Sequence, residues 1–106
     1  MESTISFKLT RSDILLAMEI ANSYAHYYRY VPSSHTCPIY QALRSLGYEE
    51  VQVHRNTAVV DGVAYRLSEM GCLSVQAFDD WVAEEFSSPI LDYIGKEICL
   101  TLYEPI

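Results

Sequence analysis

The run Tyr24-Ala25-His26-Tyr27-Tyr28-Arg29-Tyr30 places four tyrosines, a histidine and an arginine within seven residues. Tyrosine combines a large apolar area with a hydroxyl and few rotamers, so it concentrates in binding surfaces. One reading puts half of these rings in the core, Tyr28 among them; the other, taken here, expects Tyr24, Tyr27 and Tyr30 to face outward. Aromatic and cationic side chains together can also stack on a base, which keeps open a small-ligand or nucleotide-sequestering protein as the alternative. Further along, Trp81 is the sole tryptophan and stands beside Asp80, Glu84 and Glu85. A partly exposed tryptophan among carboxylates has the make-up of a hot spot facing a basic partner. The competing reading lays Trp81 over the turn at Ile90 to Tyr93 with the acids merely solvated. Acids strung along a helix can also imitate phosphates.

Cys37 stands at a predicted helix start, where the terminal N–H groups favour a thiolate, and His35 lies two residues away. A cysteine-dependent enzyme is therefore a third class of reading. Neither a protease signature nor a nucleophile elbow surrounds Cys37, and cysteine is a common core residue. His26, His35 and His54 match no metal spacing, and the glycines match no phosphate loop. We accordingly assign no catalytic residue, cofactor or metal, and expect a non-enzymatic protein.

The chain of 106 residues is the size of one domain, 1–106, able to bury about two-thirds of the surface its unfolded form exposes. Half of it is apolar, as in globular proteins. No apolar run reaches the ~20 residues of a membrane span and the N-terminus lacks a signal-peptide pattern, so a cytoplasmic protein without membrane contact is expected. Three scattered cysteines suggest reduced thiols. Residues 1–60 hold five acids and five bases, whereas 61–106 hold nine acids and only Arg66 and Lys96. That imbalance argues against direct nucleic-acid binding and for a protein partner with a basic surface.

The elements that must position these residues follow from periodicity. Ile5, Phe7 and Leu9 alternate with polar residues as in a strand with one buried face. Thr10 and Asp13 form a capping-box variant that opens a helix. On its wheel Ile14, Met18, Ala21, Ala25 and Tyr28 make one stripe, and Leu16, Ile20, Tyr24 and Tyr27 make a second on roughly the opposite side. A helix on a monomer surface needs one stripe, so this one is either sandwiched or offers its second face to a partner, self-association through the 10–30 helix included. Pro32 and the serines predict a loop. A second helix starts at Thr36 or Cys37 with Pro38 in its first turn and stops at Gly47. Three short strands, Val51 to His54, Thr57 to Val60 and Val63 to Leu67, turn at Arg55-Asn56 and at Asp61-Gly62, a strong hairpin signal. Ser68 caps a third helix, with Val75, Phe78, Val82 and Phe86 on its apolar face, and Gly71 is out of place in its first turn. Ser88-Pro89 opens a helical turn closed by Gly95, and Glu97 to Tyr103 alternates as a last strand.

The order of TRSDI at 10–14, Cys37-Pro38 with Ala42-Leu43, Val51 and Val53, Val60-Asp61-Gly62 with Tyr65 and Leu67, and Phe78-Asp79 resembles a group of short uncharacterised bacteriophage and bacterial proteins. The resemblance implies a phage-linked protein in a bacterial host cytoplasm, and carries no site residues. It makes an inhibitor of a host defence system, as anti-CRISPR proteins are, the natural form of a docking protein. The expected fold is α+β: a small, mostly antiparallel sheet of a three-stranded meander plus the terminal strands, with three helices packed largely on one face.

Overall fold

The computed structural model describes residues 3–27, 33–83 and 89–103. It is an α+β fold with the element order β1 (Thr4–Lys8), α1 (Arg11–Tyr27), α2 (Pro38–Ser45), β2 (Val51–Val53), β3 (Thr57–Val60), β4 (Val63–Leu67), α3 (Glu69–Ala83) and β5 (Glu97–Leu102). Short 3-10 turns at Ser33–His35, where a plain loop was expected, and at Ile90–Tyr93 complete the chain. The five strands form one antiparallel sheet in the order β1-β5-β4-β3-β2. The terminal strands pair, with Ile5 opposite Leu100 and Phe7 opposite Ile98.

Register carries the apolar alternation across the sheet. Ile5 faces Leu100, Leu100 faces Leu67, Tyr65 faces Ala58 and Ala58 faces Val53, so one face is continuous core. All six of these side chains are buried. A slip of one residue in any strand would turn its apolar set to solvent, which fixes the pairing. The other face is short and polar, with Thr4, Ser6, Gln52, Arg66 and Thr101 exposed. The Arg66 guanidinium lies over the Tyr103 ring, 5.3 Å from its centroid. Against the apolar face pack α2 and α3, and α2 also packs on α1. Ile14, Ala17 and Ala21 of α1, Ile39 and Leu43 of α2, and Phe78 of α3 close the core.

Local signals hold each element in place. The Asp61-Gly62 turn has positive φ at both residues, +48° and +82°, as a type I′ hairpin requires. Gly47, at φ +103°, ends α2 in a Schellman motif: its N–H donates to the Arg44 carbonyl at 3.0 Å and the Tyr48 N–H to the Leu43 carbonyl at 3.3 Å. The Ser68 hydroxyl caps α3, accepting from the Gly71 N–H at 3.3 Å and also from the Cys99 N–H of β5 at 3.2 Å.

Candidate functional site

The feature that stands out chemically is α1, which carries apolar side chains on two sides. Its start is fixed by the predicted box: the Asp13 N–H donates to Thr10 Oγ1 at 3.1 Å, and the Thr10 N–H to Asp13 Oδ2 at 3.4 Å. The second carboxylate oxygen of Asp13 accepts from the Ser45 hydroxyl at 3.5 Å, which ties the start of α1 to the end of α2. The helix is thus held in rotation as well as in place. Asp13, Ile14, Ala17 and Ala21 point inward and are buried.

On the other side Leu15 and Leu16 are 41 % and 44 % exposed. Ile20 and Tyr24 are half-buried, and Glu19, one turn on from Leu15 and Leu16, is exposed. Leu16, Ile20 and Tyr24 follow one another at i, i+4 intervals, so they form one stripe along the helix. The Ile90–Tyr93 turn packs against α1, and around it Leu91 and Ile94 are exposed as well. With Leu15 and Leu16 exposed, the helix is not sandwiched along its first turns. Leu15 lay on neither predicted stripe and joins the exposed set. Tyr27 closes α1, but its side chain and all of Tyr30 lie outside the described residues, as do the side chains of Ala25 and His26.

The acidic segment of α3 is arranged differently from the exposed hot spot expected of it. Trp81 is 4 % exposed and stacks on Phe78, ring centroids 5.8 Å apart and planes 27° from parallel. It is a core residue and presents no ring to a partner. The cause lies in the small residues Gly71, Ser74 and Ala77, all buried. They widen the inward face of α3, so that 74, 77 and 81 are buried alongside Val75 and Phe78 while Val82 is left half-buried. A Cβ on Gly71 would lie 3.3 Å from both Ile98 Cγ2 and Leu67 Cβ, so glycine there permits the close approach of helix to sheet. Helix α3 also packs on the Ile90–Tyr93 turn. Asp80 is half-buried and accepts from Gln76 Nε2 at 2.8 Å. Gln76 in turn accepts from the Arg55 guanidinium, so Asp80 serves the junction between α3 and the β2–β3 turn. Glu84, Glu85 and Phe86 lie outside the described residues.

Cys37 overturns the expectation of a thiolate. It is fully buried, and burial pushes its pKa from 9.0 up to about 12, more than the backbone N–H groups of Tyr40 and Ile39 pull it down, with the Asp79 carboxylate raising it further. At neutral pH it is a thiol in the core, unable to serve as an exposed nucleophile. The His35 ring turns elsewhere, meeting Tyr40 edge to face at 5.8 Å and sharing a hydrogen bond of 2.9 Å between its Nδ1 and the Ser34 hydroxyl.

Among the described residues no group of three or more His, Cys, Asp or Glu side chains could hold a metal ion, and no helix is long and apolar enough to cross a membrane. Comparison with protein-family models, with curated proteins and with solved structures finds no match.

Proposed function

We propose that this chain is a non-enzymatic binding protein that docks on a protein partner through the outer face of α1. The observation that carries the reading is the contrast along one helix: Ile14, Ala17 and Ala21 at 0 % exposure, with Leu15 and Leu16 more than 40 % exposed beside them. Covering Leu16 in an interface removes about half a leucine side chain from water, on the order of 1 kcal/mol. Ile20 and Tyr24 continue the same stripe, and the sequence extends it toward Tyr27 and Tyr30. Exposed apolar side chains grouped on one helix are the usual mark of a helix-in-groove or helix-on-helix contact.

The occupant that fits is an apolar surface with a basic rim. Glu19 on α1 and Asp92 on the turn that packs against it are exposed, and the whole chain carries a net charge of −7. The partner meets the protein through α1 and not through Trp81, which belongs to the core. The narrower form of the reading, a phage-encoded inhibitor of a host defence protein, draws only on the resemblance of the motif order to short phage and bacterial proteins and on nothing in the site.

The test is capture from a bacterial lysate on immobilised wild type and on a folded Leu16→Glu variant, followed by reconstitution with the purified candidate. Docking through α1 predicts a protein retained by the wild type and lost with the variant, whose affinity falls as salt is raised. Equal retention by both would remove α1 from the interface. A wild-type dimer in sedimentation that Leu16→Glu converts to monomer would assign the face to a second copy of the chain.

A further inference from the structure

A cleft of about 230 Å³ opens where edge strand β2 meets the 3-10 turn before α2. His35 and Tyr40, in edge-to-face contact, line it together with Glu49, Glu50 and Gln52. The backbone that carries the two glutamates is pinned from both sides. Asp61 Oδ1 accepts the N–H groups of Glu49 and Glu50 at 3.1 and 2.9 Å, and the Asp61 N–H donates to the Glu50 carbonyl at 2.7 Å. From the opposite side the Arg44 guanidinium donates to the carbonyls of Tyr48 and Glu49. Five backbone hydrogen bonds thus hold residues 48–50, four of them on Glu49 and Glu50, whose own carboxylates have no partner among the described residues. Such a segment is rigid where it meets a ligand, which lowers the ordering cost of binding.

The cleft's size and chemistry restrict what enters. It is smaller than the ~300–1,000 Å³ of ordinary cofactor and small-molecule pockets, so it suits a head group. Its residues do not converge as metal ligands, so the negative charge is offered to a group that brings its own hydrogen-bond donors. An aromatic face beside carboxylates favours an organic cation. We propose that this cleft binds a single guanidinium or primary ammonium head group, with the Glu49 and Glu50 carboxylates as acceptors and the Tyr40 ring against its flat or apolar side. An arginine or lysine side chain of a basic protein segment and a free amine share this chemistry. The cleft uses residues distinct from those of α1, and the inference stands whether or not α1 is the docking face.

The experiment is a titration of ¹⁵N-labelled full-length protein, followed by amide shifts, with N-acetyl-arginine methylamide and its neutral counterpart N-acetyl-citrulline methylamide. The cation is expected to give saturable shifts at residues 35, 40 and 49–52, with the neutral compound at least about tenfold weaker. The double variant Glu49→Gln, Glu50→Gln, which alters only exposed side chains, should lose about tenfold or more in affinity, while Leu16→Glu should bind as the wild type does. A blocked tripeptide with arginine at its centre separates the sources: tighter binding than the single residue indicates a protein segment, and equal binding indicates a free amine. Equal response to arginine and citrulline, shifts that do not saturate, or unchanged affinity in the double variant would overturn the proposal.

Discussion

Replacing Gly71 by alanine sets two effects of opposite sign against each other. Glycine in a helix costs about 1 kcal/mol relative to alanine, so on propensity alone Gly71→Ala stabilises. Gly71 is in the first turn of α3, directly under the Ser68 cap, where that gain is smaller than in a helix interior. Against it, the new methyl would meet Ile98 Cγ2 and Leu67 Cβ at 3.3 Å each, a few tenths of an ångström inside ordinary contact. Neither neighbour gives readily, because Leu67 Cβ is fixed to the backbone of β4 and Ile98 is fully buried in β5. Overpacking of this kind costs about 1–3 kcal/mol. The overpacking wins, and Gly71→Ala should destabilise by about 0.5–2 kcal/mol net. Chemical denaturation read by circular dichroism gives the difference directly, and thermal melting should show a fall of several degrees, since about 1 kcal/mol moves a domain of this size by ~4–8 °C. A variant more stable than wild type by the full propensity gain would refute the tight approach of α3 to the sheet.

Other consequences can be read in the same assays. Trp81→Ala should cost about 3–5 kcal/mol, whereas a surface tryptophan would cost little; a folded variant of near wild-type stability would contradict its burial against Phe78. Asp61→Asn keeps a residue tolerant of positive φ and one acceptor oxygen, so it should lose about 1 kcal/mol or less. Asp61→Ala loses both hydrogen bonds and the left-handed preference, and should lose roughly 2–3 kcal/mol; equal effects of the two would deny the carboxylate its structural role. Cys37 holds its proton in the folded state up to a pKa of about 12 against 9.0 unfolded. Above pH 9 the unfolded chain therefore binds fewer protons than the folded one, and stability should fall with rising pH, by at most about 1.4 kcal/mol per unit. Cys37→Ala should remove that part of the slope, and a slope identical in both proteins would contradict the buried thiol.

Much of the fold was written in short-range signals. Thr10 and Asp13, Ser68, Gly47 and the Asp61-Gly62 turn each act within a few residues, and each does what its chemistry predicts. The pairing of β1 with β5 followed from two alternating segments at opposite ends of the chain. What sequence missed was set by distant neighbours. The burial of Trp81 depends on how far α3 can sink toward β5, which only the contact of Gly71 with Ile98 and Leu67 reveals. The helix-start argument for Cys37 was sound locally and lost to the desolvation that α2's packing imposes. Asp61 was legible as a turn residue but not as the acceptor that holds Glu49 and Glu50, twelve and eleven positions away. The cleft they line joins residues 35 to 59, and no local pattern marks it. The second apolar face of α1 was legible, because a double stripe on one helix is visible in the sequence itself.

Docking through the outer face of α1 can be tested at the level of single residues. A photo-crosslinking amino acid placed at position 16, and separately at position 101 on the exposed polar face of the sheet, tests it in a lysate without any assumption about the partner's identity. Docking through α1 predicts a discrete crosslinked protein from position 16 and background from position 101. A discrete product from position 101 with background from position 16 would contradict it and move the interface to the sheet.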